Sequence, residues 1–202
     1  MNVTKILINE FIDVILNILL FSFIPFGWYF IREKSSKGFL NSIGIYKPER
    51  INVSTIFVIT AIYLVTLSTN ILVIKFGYSG RTIPDKKGFT SLTFFLYLLL
   101  YGLKTGIAEE IFFRGFVAKQ LIKLLGFSRG NVVQAVIFAL PHFVLRGSAS
   151  IVDIFVRIIN AFLLGYTFGY VMYKKSNGSI IPVMISHIII NMISSLVLSM
   201  IL

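Results

Sequence analysis

Long apolar runs follow one another along this chain with only short polar stretches between them. They fall at about 6–31, 51–76, 89–125, 130–145, 150–173 and 179–202. A hydrocarbon layer offers no water to unpaired backbone groups, so a chain of this kind has two spanning solutions, helices or a closed barrel. A spanning helix needs about 20 mainly apolar residues. The runs have that length and lack the short alternating pattern of barrel strands. The expected fold class is therefore all-α: a multi-pass transmembrane helical bundle of about six spans.

The balance of residue types agrees. Of 202 residues, 56% are hydrophobic and 13% charged, against roughly a quarter charged in soluble domains. The formal net charge of +11 would raise nucleic acid as a partner in a soluble protein. Here most Lys and Arg sit at the ends of apolar runs, as the positive-inside rule and anionic headgroups require. The partner expected from this charge pattern is the lipid bilayer, with no nucleic acid. The loops after the first, third and fifth runs carry Arg32, Lys34, Lys37, Lys47, Arg50, Lys119, Lys123, Arg129, Lys174 and Lys175. The opposite side carries Lys5, Lys75, Arg81, Lys86, Lys87 and Arg146. This excess places the first set in the cytoplasm and both termini outside, in a multi-pass protein of the cell membrane. Glu10 and Asp13 fall early in the first run and no small-residue cleavage site follows, so a retained helix is expected rather than a removable signal peptide. The chain has no cysteine, which excludes disulfides, thiolate metal sites and a cysteine nucleophile.

The third run is too long for one simple span. Its 89–125 stretch would extend about 55 Å as a single helix, so either an amphipathic end or a break near Gly102 or Gly106 is expected. In the fourth, Pro141 stands directly before His142, and a proline break belongs where backbone lines a cavity or is buried in protein. Gly178 closes the turn before the last run, and Pro182 suits the first turn of its helix.

Against this background the titratable residues stand out. The chain has eight acidic residues and two histidines. Glu109, Glu110, His142 and His187 all fall inside apolar runs, where an ionisable group is a functional candidate by default. Glu110 and Arg114 are four apart, share a helix face and can pair; Glu109 points about 100° away. His187 and Asn191 share a face in the same manner and together offer donors for an oxyanion. Each set also has a structural reading: a buried ion clamp, a packing histidine beside Phe138, and interhelical hydrogen bonds. Brought to one point, a carboxylate and an imidazole can deprotonate a water while a second imidazole and an amide hold the oxyanion. Glu109, His142 and His187 could equally hold a divalent metal such as zinc. The soluble-protease motif H-E-x-x-H is absent.

These residues form three motifs in order: Glu109-Glu110-x-x-x-Arg114, Phe138-x-x-x-His142 and His187-x-x-x-Asn191. With Phe113-Arg114-Gly115 and Gly165-x-x-x-Gly169 around them, the chain resembles the intramembrane CAAX prenyl protease and bacteriocin-processing family, also called CPBP or Abi, over about residues 90–200. The apolar runs place two N-terminal transmembrane helices with polar loops over 1–88, and the resemblance implies a four-helix catalytic core over 89–202. It implies an intramembrane endopeptidase with Glu109 as general base, His142 on the same water, and His187 and Asn191 polarising the scissile carbonyl. Glu110, Arg114 and Phe138 are supporting residues. The family is described both as a metalloprotease and as metal-free, so the resemblance leaves the cofactor open between a divalent metal and none. Eukaryotic relatives trim prenylated C-termini, and bacterial ones are linked to peptide maturation and bacteriocin self-immunity. The alternative reading is accordingly an immunity or binding protein using the fold without turnover. A small ion-coupled transporter with a Glu–His proton relay is a third; no inverted repeat supports it. The Gly165 and Gly169 pair is expected to permit close helix packing.

Overall fold

The computed structural model describes residues 2–48, 53–76, 88–144 and 150–201. Arg50, Arg81, Lys86, Lys87, Arg146 and most of the glycine-containing loop before Gly88 lie outside the described residues. The elements are α1 (Val3–Glu33), α2 (Phe39–Ser42), α3 (Val53–Lys75), α4 (Ser91–Glu109), a π-helical turn (Glu110–Ala118), α5 (Lys119–Ala139), α6 (Pro141–Val144), α7 (Ile151–Tyr170), a second π-helical turn (Val171–Lys175) and α8 (Ile181–Ile201). Among the described residues there is no strand. The protein is an all-α, multi-pass helical bundle.

Five stretches among the described residues are long and apolar enough to cross a membrane: Val3–Glu33, Ser54–Lys75, Ser91–Phe143, Ile151–Lys175 and Ile181–Met200. The third, at 53 residues, contains a reversal. Gly126 lies at φ 74° and ψ 168°, a region essentially reserved for glycine. A Cβ on Gly130 would come within 2.7 Å of the Ile122 backbone, although eight residues of unbroken helix would separate the two by about 12 Å. The stretch is thus two arms, 91–125 and 127–143, which restores the expected division between the third and fourth runs. The expected break near Gly102 or Gly106 does not occur: α4 is continuous through both. The departure from α-geometry comes at Glu110, as the π-helical turn. Both glycines instead serve packing.

The chain forms two compact units that do not follow its order. The first holds 1–46, 83–116 and 180–202; the second holds 47–82 and 117–179. In the first, α4 packs against α1 and α8. Lys104 Nζ on α4 meets Glu10 Oε2 of α1 at 2.7 Å and Asp13 Oδ2 at 3.6 Å. Three charges in an apolar bundle therefore satisfy one another, as the cost of ionised groups there demands. On the other face of α4, a Cβ on Gly102 would lie 2.8 Å from the Ile188 carbonyl oxygen, and one on Gly106 would lie 2.9 Å from the Ile188 nitrogen. Glycine at these two positions lets α4 and α8 approach backbone to backbone. The loop after α2 closes on the same unit: Ile180 N donates to the Gly44 carbonyl at 2.9 Å, and the Ile43 carbonyl abuts Gly115 so closely that a Cβ would sit 2.8 Å away.

In the second unit α7 packs against α3, α5 and α6. Gly165 and Gly169 make room for α5, as expected. A Cβ on Gly165 would lie 3.0 Å from the Phe138 ring, and one on Gly169 would overlap the Asn131 side-chain oxygen. The space is filled by buried amides: Gln134 Nε2 donates to the Gly165 carbonyl at 2.8 Å and Asn131 Nδ2 to the Tyr166 carbonyl at 3.0 Å. A buried bidentate pair, Arg157 on Asp153 at 2.7 Å for both contacts, opens α7, and Asn160 one turn later meets Thr69 Oγ1 at 2.9 Å. These interactions hold the unit by hydrogen bonding where apolar burial from water contributes little.

Candidate active site

The acidic pair straddles the junction of two helix types, and its members differ sharply in surroundings. Glu110 and Arg114 side chains are both fully buried, and Arg114 Nη1 donates to Glu110 Oε1 at 2.9 Å, the pairing expected from their spacing. The same oxygen lies 2.8 Å from His187 Nδ1 on α8. Glu110 thus holds two cationic or proton-bearing partners and is closed to solvent. Glu109, one residue earlier, keeps 22% of its side chain exposed, and its Oε2 stands 3.9 Å from His187 Nε2. The two glutamates therefore lie at opposite edges of one imidazole, Glu110 within hydrogen-bond distance and Glu109 beyond it.

One helical turn away a second contact crosses between the same helices. Asn191 Nδ2 donates to Thr105 Oγ1 at 2.7 Å. Thr105 precedes Glu109 by four and Asn191 follows His187 by four, so the offsets run in opposite directions along the two helices. The result is an antiparallel pair with two polar rungs a turn apart, and the Gly102 and Gly106 contact with Ile188 brings the backbones close enough to form them. Sequence inspection singled out Glu109, Glu110, Arg114, His187 and Asn191, and the structure brings all five into the first unit. Thr105 was missed. Its only signal is the i, i+4 spacing to Glu109, which a threonine in an apolar helix shares with many that bond only their own backbone.

Phe138 and His142 belong to the second unit. α5 ends at Ala139, Pro141 starts α6, and the His142 ring lies 5.6 Å from that of Phe138, centroid to centroid. The proline break in front of His142 is as expected.

The metal set expected from the sequence, Glu109, His142 and His187, is divided between the two units, with Glu109 and His187 in the first and His142 in the second. Glu109 and His187 Nε2 give two donors, whereas a catalytic zinc takes three protein ligands. His187 Nδ1 is committed to Glu110. Among the described residues no group of three or more His, Asp and Glu side chains is disposed to hold a metal ion.

The arrangement supplies a partly accessible carboxylate, an imidazole oriented by a buried carboxylate, and an amide, all on one helix pair. One protein family matches the chain: the type II CAAX prenyl endopeptidase Rce1-like family, over residues 91–193. That match takes in all three motifs and α4 through most of α8. No curated protein and no solved structure matches the chain.

Proposed function

The chain belongs to the type II CAAX prenyl endopeptidase Rce1-like family, and on that premise we propose that it hydrolyses a peptide bond with water activated by Glu109. The family is one of membrane proteases, so the protein is a hydrolase acting on a peptide or protein within the bilayer; the division of roles among its residues is our reading. The observation that carries it is the contrast within the acidic pair. Glu110 is enclosed and engaged by Arg114 and His187, while Glu109 alone retains access and faces the outer nitrogen of the same imidazole.

In the proposed reaction the Glu109 carboxylate takes a proton from water as the water oxygen attacks the scissile carbonyl carbon. With Glu110 ionised, His187 Nδ1 bears hydrogen and donates to it. His187 Nε2, when protonated, and Asn191 Nδ2 then donate to the developing oxyanion. Collapse of the tetrahedral intermediate breaks the C–N bond, and Glu109 returns the proton to the leaving amine. Arg114 and His187 both contact Glu110 Oε1, and Glu110 orients the His187 ring. His142 is assigned to the same water on the strength of its motif, with Phe138 beside it. The substrate class suggested by the family is a prenylated C-terminal peptide, and the location suggested by the lysine and arginine distribution is the cell membrane.

The test is cleavage of a farnesylated peptide ending in a CAAX sequence by purified protein in proteoliposomes, read by mass spectrometry with and without a chelator. Glu109→Ala should lower kcat by about 10²–10⁴-fold while the protein stays inserted and folded, and chelator should leave the wild type unchanged. Loss of wild-type cleavage on chelation would replace this mechanism with a metal-dependent one. A folded wild type that binds peptides and cleaves none would shift the reading to an immunity or binding protein.

A further inference from the structure

We propose that Thr105 is a positioning residue for the reaction, acting through Asn191; this rests on the reading of Asn191 as an oxyanion donor. An asparagine amide carries two N–H groups on a freely turning side chain. For it to act as a preorganised donor, something must fix the rotation of that side chain before substrate arrives, since donors that need no reorganisation are those that lower the barrier. In this protein the restraint is visible. One Nδ2 hydrogen is spent on Thr105 Oγ1 at 2.7 Å, which sets the plane of the amide and leaves the second hydrogen for a ligand.

The position of the contact matters as much as its existence. Thr105 lies one turn before Glu109 on α4, and Asn191 lies one turn after His187 on α8. The rung they form therefore fixes the axial and rotational register of α8 against α4 at the distance of one helical turn from the Glu109–His187 pair. The glycine contacts of Gly102 and Gly106 with Ile188 bring the helices close but are steric and leave room for small shifts. A hydrogen bond with a defined donor and acceptor does not. Thr105 thus selects, among the registers that the glycines permit, the one in which Glu109 faces His187 and the Asn191 amide lies a turn away.

The experiment compares Thr105→Val, which keeps the shape and removes the acceptor, with Thr105→Ser, which keeps the acceptor. The assay is farnesylated CAAX peptide cleavage in proteoliposomes. Thr105→Val should lower kcat about tenfold, the order of one lost hydrogen bond, with KM and thermal midpoint close to those of the wild type. Thr105→Ser should recover most of the loss. Combined with Asn191→Ala, Thr105→Val should add nothing further, because both act through one amide. Wild-type kcat in Thr105→Val, or a full additional loss in the double variant, overturns the proposal. If Asn191→Ala itself cleaves like the wild type, the oxyanion reading of Asn191 is wrong, and that outcome is distinct from a failure of Thr105 alone. Should Thr105→Val not insert, Thr105→Ala carries the same comparison and the same cycle.

Discussion

Truncating either member of the Glu110–Arg114 pair leaves a full charge enclosed by protein. Removal of one partner from a buried ion pair costs about 3–5 kcal/mol. Glu110→Ala and Arg114→Ala should therefore both unfold at markedly lower temperature in detergent, and Glu110→Ala should additionally release His187, whose Nδ1 it holds at 2.8 Å. Glu109→Ala, removing a side chain that is 22% exposed and stands 3.9 Å from His187 Nε2, should leave the midpoint nearly unchanged. Equal destabilisation of all three variants would remove the distinction between base and clamp. The Glu110–Arg114 contact was legible in the sequence because i, i+4 spacing dictates it. Which glutamate His187 engages more closely was not, because that depends on the register of α8, seventy-seven residues away.

At the level of the element, backbone geometry rather than side-chain contact sets the boundaries. Gly126 turns α5 back on itself at φ 74°, and a Cβ there would meet nothing within 4 Å. Its substitution therefore isolates conformational strain. Gly126→Ala should destabilise the protein by about 1–3 kcal/mol, measured by thermal or denaturant titration in detergent; unchanged stability would mean that the reversal does not depend on glycine. The apolar pattern located this reversal between the third and fourth runs but not the residue that makes it, since Gly102, Gly106 and Gly126 look alike in a single sequence. Gly102 and Gly106 turned out to face α8, and the irregularity near the acidic pair is a π-helical turn. A π-turn leaves no compositional mark; it is retained where one extra residue re-aims side chains, often at functional sites. Here it begins at Glu110 and carries both Glu110 and Arg114.

For the molecule as a whole, the lysine and arginine distribution makes a topological prediction that the absence of cysteine renders simple to test. In the second unit Ser128, just after the Gly126 reversal in α5, and Asn177, in the turn after Lys175, are exposed beside Arg129 and Lys175. Single-cysteine variants Ser128→Cys and Asn177→Cys should both react with a membrane-impermeant maleimide in inverted vesicles and neither in intact cells; labelling of either from outside would reverse the assignment. The sequence by itself determined that the chain is helical and membrane-embedded, because lipid leaves the backbone few alternatives, and it determined which rare polar residues to examine, because each is costly in an apolar run. Pairings within one helix followed from its fixed period. Tertiary structure alone decided that Glu110 is the enclosed partner and Glu109 the accessible one, that Thr105 meets Asn191, and that Asn160 meets Thr69. Those outcomes depend on how far one helix slides and turns against another, and that register is set by close glycine contacts and individual hydrogen bonds that have no periodic trace in the chain.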